Sequence, residues 1–150
     1  MKILFVCTGN TCRSVLAHYY GALLADQKKM PLEFFSVGLS AHKSIVQPPI
    51  VAQLLEKEGV RGFSHIPVRL TSELAEGADL ILCMTAVHRD RVKESYPSAA
   101  EKTFTMMDYA GLGDYDIPDP YGRGDRFYVK IFALIKSAVQ ALLEKLEKKV

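Results

Sequence analysis

Lys2-Ile3-Leu4-Phe5-Val6-Cys7-Thr8-Gly9-Asn10-Thr11-Cys12-Arg13-Ser14 decides how the rest of the chain is read. Lys2 to Cys7 is a short, mostly apolar run rich in β-formers. A tight polar loop follows at once, and from Ser14 to Gln27 the residues Leu16, Tyr19 or Tyr20, Leu23 and Leu24 recur at helical spacing. The segment predicts strand, loop, helix.

The same alternation continues downstream. Glu33 to Val37 reads as a second strand closed by Gly38. Pro48 and Pro49 open a helix that runs to about Glu58 and is stopped by Gly59. Thr71 to Glu76 predicts one short helix with Thr71 as its cap, Asp79 to Met84 a buried strand, and Ala86 to Ser95 a charged helix. Lys102 to Met106 is read as the fourth strand. A loop rich in Gly, Asp and Pro spans Asp108 to Asp125. The last helix, Arg126 to Lys148, carries Phe127, Ile131, Leu134, Ile135, Ala138, Leu142 and Leu146 as its apolar stripe. Strands apolar on both faces, alternating with helices, imply an α/β fold: one domain over residues 1–150, a three-layer sandwich with a four-stranded parallel sheet and helices on both faces.

Composition limits the partners. The chain has 150 residues, and its 19 Lys+Arg against 17 Asp+Glu leave a net charge of +2, so there is no broad basic face for nucleic acid. Its longest apolar runs fall well short of the roughly 20 residues a membrane helix needs. Met1 to Cys7 lacks the cleavage site of a secretory signal, and three cysteines suit a disulfide framework poorly, so a reducing, cytoplasmic setting is expected, with a monomer the simplest state.

In parallel sheets ligands bind beyond the carboxyl ends of the strands, which directs attention to the first loop. A loop curling from strand end to helix start turns successive N–H groups inward, so Thr8, Gly9, Asn10, Thr11, Cys12, Arg13 and Ser14 are expected to cradle a tetrahedral anion. Gly9 is expected to supply positive φ and close approach. Helix N–H groups, the helix dipole and the Arg13 fork add positive potential, which favours a thiolate at Cys7 in the cradle floor. Such a thiolate attacks phosphorus in line and leaves a cysteinyl-phosphate for water to discharge. Ser14 either donates to the Cys7 sulfur or simply caps the helix. Asn10 is read as a brace of the loop through side-chain to backbone bonds. Asp119, stiffened between Pro118 and Pro120, is the expected general acid and then base, with Asp114 and Asp116 read as turn residues. The four histidines show no ligand spacing and the mechanism needs no metal or other cofactor.

These residues resemble the low-molecular-weight protein tyrosine phosphatases, whose C-x5-R-S signature near the amino terminus pairs with a distant D-P-[YF]. Here the signature is Cys7 to Ser14 and its partner Asp119-Pro120-Tyr121, with the alternation of elements fitting along the whole chain. The resemblance implies Cys7 as nucleophile, Arg13 as phosphate ligand, Asp119 as acid and base, and phosphorylated proteins as substrates. It also implies His65 as a brace bonded to Asn10, with a surface histidine as the competing reading, and Cys12 as a redox guard of Cys7, with plain packing as the competing reading. Val15 departs from the proline usual after Arg-Ser.

Thr11 departs further. CTGNTCRS is most similar to the bacterial protein arginine phosphatase branch, where threonine at this place goes with phosphoarginine. The chain has no tryptophan, and Ser40 to Gln47 lacks the aromatic wall many tyrosine-directed relatives use. Tyr121, by contrast, suits a phosphotyrosine ring. The lean is to phosphoarginine, with phosphotyrosine a close second. A thiol-dependent arsenate reductase is the first rival, but it needs two further downstream cysteines, and only Cys83 is available, patterned as core. The second rival is a non-catalytic phosphate-binding module, for which the thiol of Cys7 would be superfluous.

Overall fold

A computed structural model describes residues 1–149. Strand β1 (Lys2–Cys7) pairs with β2 (Glu33–Gly38) on one side and β3 (Leu80–Cys83) on the other, and β3 pairs with β4 (Thr103–Thr105). All pairings are parallel, in the order β2-β1-β3-β4. Alternation along β1 sends Ile3, Phe5 and Cys7 to one face and Leu4 and Val6 to the other, and each set joins its own core cluster. The first face is covered by α1 (Arg13–Gln27), α2 (Pro49–Glu58) and α6 (Asp125–Glu147). The second is covered by α3 (Ser72–Gly77) and α4 (Ala86–Ser95), which bury Ala75 and Val92. The result is the expected three-layer arrangement.

Several boundaries differ from the sequence reading. Strand β4 stops at Thr105, because the Thr105 hydroxyl accepts the Asp108 N–H and starts a short helix α5 (Met106–Tyr109) that shows no periodicity over so few residues. A 3-10 turn over Pro97–Lys102 was likewise unforeseen, and β3 excludes Asp79, whose carboxylate accepts the Lys2 N–H at 2.7 Å. Along α6 Leu134 faces outward, while Tyr128, Phe132, Val139 and Leu143 complete a stripe wider than the one expected. The predicted Thr71 cap is present, its hydroxyl accepting from Leu74 N at 3.2 Å. Among the described residues no helix is long and apolar enough to cross a membrane.

The candidate active site

The carboxyl end of β1 runs straight into the loop that ends at α1, and the loop is held from both sides. On the β2 side Gly38 is indispensable: a Cβ there would sit 2.5 Å from the Thr8 carbonyl oxygen and 2.8 Å from Asn10 N. Leu39 N–H and Ser40 N–H also donate to the carbonyls of Cys7 and Thr8. The sequence reading placed the positive-φ residue at Gly9. It is Asn10 that adopts φ 55°, while Gly9 has no positive φ. Asparagine is among the few residues that tolerate this region, and here its side chain locks it there.

That lock consists of three bonds. Asn10 Oδ1 accepts from Val68 N at 2.8 Å and lies 2.9 Å from His65 Nε2, while Asn10 Nδ2 donates to Ser14 Oγ at 2.9 Å. Because Oδ1 only accepts, Nε2 carries the His65 proton, and the one proton of the Tyr19 hydroxyl faces two acceptors, His65 Nδ1 at 3.0 Å and the Ser64 carbonyl at 3.2 Å. Burial keeps the His65 pKa below its ordinary value, partly offset by the bond to Asn10, so the ring is neutral. Ser14 Oγ accepts from Asn10 and lies 2.9 Å from Cys7 Sγ, to which its own proton is available when the sulfur is a thiolate. Asn10 N–H adds a second donor to the same sulfur at 3.3 Å. Two donors aimed at one sulfur suit a thiolate, and suit equally the charge the sulfur regains when a phosphoryl group departs. Ser14 is not the helix cap: Cys12 occupies that position, without a side-chain cap bond.

Arg13 is buried and rigidly placed. Its Nη1 donates to the Ile117 carbonyl at 2.9 Å, and its Nη2 faces Asp119 Oδ2 at 3.7 Å. Asp119 Oδ1 accepts the Tyr121 N–H at 3.0 Å, so the carboxylate is turned by its own short loop toward the arginine. Asp116 goes elsewhere, accepting the first N–H of α4 from Ala86 at 2.8 Å. A cleft of about 280 Å3 gathers Cys7, Thr8, Gly9, Thr11, Cys12, Arg13, Asp119 and Tyr121, with Ile45 on its wall. Asn10, Ser14 and His65 lie behind it.

Cys12 Sγ sits 3.7 Å from both the Thr11 and the Tyr128 hydroxyls, and burial raises its pKa above the ordinary value. All three cysteines are free. Cys83 is fully buried in β3 and its thiol is pushed up to about 12, so it cannot serve as the second relay thiol of an arsenate reductase. Among the described residues no cluster of His, Cys, Asp or Glu could hold a metal ion. Gly38, Ile45, His88 and the Ile117 carbonyl carry no signal of a site in the sequence. They reach the loop or its cleft from distant segments, and no local pattern marks that role.

A thiol with two donors at the floor of an anion cradle, an arginine beside it and a carboxylate at the mouth are the parts of a cysteine-dependent phosphatase. The family model for low molecular weight phosphotyrosine protein phosphatase matches residues 2–150, and the chain belongs to that family. It is a phosphoprotein phosphatase. A protein-arginine-phosphatase of Geobacillus stearothermophilus is 34% identical over 97% of this chain and 96% of its own length. A low molecular weight protein-tyrosine-phosphatase of Acinetobacter johnsonii is 33% identical over 92% of each. A solved structure of YwlE arginine phosphatase, a mutant with a phosphorylated active-site serine, superposes with a TM-score of 0.94 at 29% identity, covering 99% of this chain and 97% of that one.

Proposed function

We propose that residues 1–150 act as one phosphatase domain that removes the phosphoryl group from phosphoarginine on proteins. The observation that carries the catalytic reading is the convergence of Cys7, Arg13 and Asp119 on one cleft, with the Cys7 sulfur already receiving two hydrogen bonds. The Cys7 thiolate attacks phosphorus, the bond from phosphorus to the leaving nitrogen breaks, and Asp119 gives that nitrogen its proton. Asp119, now a carboxylate, takes a proton from water as the water oxygen attacks the cysteinyl-phosphate. Inorganic phosphate leaves and the thiolate returns. Arg13 and the loop N–H groups hold the phosphoryl oxygens throughout.

The choice of phosphoarginine rests on Thr11, which lines the cleft with a hydroxyl where a polar guanidinium would pass. The remaining walls, Ile45 and the exposed Tyr121, are compatible with a phosphotyrosine ring as the second substrate. Cys12, opening on the same cleft as Cys7, is the proposed redox guard, and three free cysteines fit a reducing, cytoplasmic setting for a monomer. Purified protein assayed side by side on phosphoarginine and phosphotyrosine peptides tests the substrate. Higher kcat/KM on phosphoarginine is expected, and the reverse order overturns the choice. Loss of all turnover of p-nitrophenyl phosphate in Cys7→Ser tests the nucleophile.

A further inference from the structure

His88 stands outside the cleft, on the first turn of α4, yet touches the loop that forms it. Its Nε2 lies 2.8 Å from Thr8 Oγ1 and its Nδ1 3.0 Å from Thr85 Oγ1. Thr85 caps α4, its hydroxyl oxygen accepting the His88 N–H at 3.2 Å. The ring is 5% exposed. Burial, with the Arg13 guanidinium nearby, brings its pKa to about 4, so it carries a single proton at neutral pH.

The hydrogen-bond partners favour one position for that proton. Thr85 Oγ1 already accepts from His88 N, and its own proton finds an acceptor in Nδ1. Nε2 then bears the ring proton and donates it to Thr8 Oγ1. The opposite tautomer would place two donors on Thr85 Oγ1, turn the hydroxyl proton of half-buried Thr85 to solvent and commit the Thr8 proton to Nε2, so the Nε2 proton is part of the proposal below. With Nε2 donating, the Thr8 hydroxyl receives one bond and keeps its own proton. Thr8 follows Cys7 directly and borders the cleft.

We propose that His88 is a positioning residue of the reaction, anchoring Thr8 so that the start of the cradle is fixed and the Thr8 hydroxyl proton is left for a phosphoryl oxygen. The assignment rests on the phosphatase reading given above. It pairs two anchors: His65 holds the middle of the loop through Asn10 from one side, and His88 holds its beginning from the other. Thr85 serves both the helix and the histidine, which ties the position of α4 to that of the loop.

Inhibition by inorganic phosphate, measured against p-nitrophenyl phosphate turnover at neutral pH, separates this role from bulk stability. His88→Phe fills the same space without a donor and is expected to raise the phosphate inhibition constant and KM roughly tenfold, the weight of one hydrogen bond, with a smaller effect on kcat. His88→Gln keeps an N–H donor near the place of Nε2 and should recover most of the loss. Thr8→Val should match His88→Phe, and the double variant should be no worse than Thr8→Val alone. If His88→Phe fails to fold, Thr8→Val and His88→Gln decide. Wild-type phosphate inhibition in Thr8→Val, or additive losses in the double variant, overturns the proposal. An inactive wild-type protein would overturn the phosphatase reading instead, so the two failures are distinct.

Discussion

Arg13 Nη2 and Asp119 Oδ2 stand 3.7 Å apart across the mouth of the cleft, a buried guanidinium facing a carboxylate whose side chain is 56% exposed. An ion pair this open to water contributes little to stability. Its value in the proposed mechanism lies in placement, since the arginine proposed to hold the phosphoryl group also faces the carboxylate proposed as acid.

Replacing that carboxylate without changing its shape therefore tests the acid. Asp119→Asn is expected to lower kcat by about 10² or more while inorganic phosphate still binds, because Arg13 and the loop are untouched. An unchanged rate would remove Asp119 from the mechanism.

The proposed choice of leaving group rests on Thr11. Thr11→Ile should shift kcat/KM from phosphoarginine peptide toward phosphotyrosine peptide by about tenfold, a change of ~1.4 kcal/mol in relative barrier. Equal ratios in wild type and variant would place the selectivity elsewhere on the wall, with Ile45 or Tyr121.

At Asn10 the φ of 55° and the side-chain bonds can be separated. Asn10→Gly keeps the backbone conformation and loses the bonds, leaving Val68 N and His65 Nε2 without their acceptor. It should cost ~2 kcal/mol in urea unfolding and much of the activity. Asn10→Ala should cost about 1 kcal/mol more, since alanine pays for left-handed backbone.

Oxidation offers a readout of Cys12. If Cys12 acts as the proposed redox guard, wild-type protein inactivated by mild peroxide should regain activity with a thiol reductant, the oxidised Cys7 being captured before it passes to irreversible states. Cys12→Ser should stay inactive after the same treatment. Full recovery in the variant would return Cys12 to a packing role beside Tyr128.

Acid should destabilise the fold through His18 and His88. Each has a pKa of about 4 in the folded protein against an ordinary 6.5, His18 through burial first and then His65, His88 through burial first and then Arg13. Between those values the unfolded chain binds protons that the folded one refuses. Stability is complete above 6.5 and is lost as the pH falls toward about 4, with roughly one proton taken up by each of these two on unfolding near pH 5 and His65, also lowered by burial, acting in the same direction. Urea midpoints across that range check the slope, and His18→Asn should lower it by about one proton.

Much of this protein is legible from its residues alone. Local periodicity marked the strands and the long helices, since each is decided by neighbours a few positions away. The Cys7 to Ser14 loop suggested an anion cradle for the same reason: the proposed nucleophile, the loop N–H groups and the arginine are contiguous. Asp119 could be singled out by the two prolines that stiffen it, although nothing in the sequence measured its distance from Arg13. What the chain could not reveal was which residue bends the loop; the Asn10 brace and its His65 partner were expected, from the side chain and from the resemblance, whereas the Val68 N–H and the Tyr19 hydroxyl beside them were not. Gly9 looked like the obvious pivot, yet Asn10 takes the left-handed conformation, because Val68, His65 and Ser14 supply partners that outweigh its backbone cost. Gly38, His88 and the Ile117 carbonyl gain their meaning only when three separate segments meet the loop at the end of the sheet. The amino-acid order alone determined the elements and the chemical groups, because those depend on short-range pattern. Tertiary structure decided the direction of each hydrogen bond and the orientation of the sulfur, because both depend on donors and acceptors brought together from across the chain.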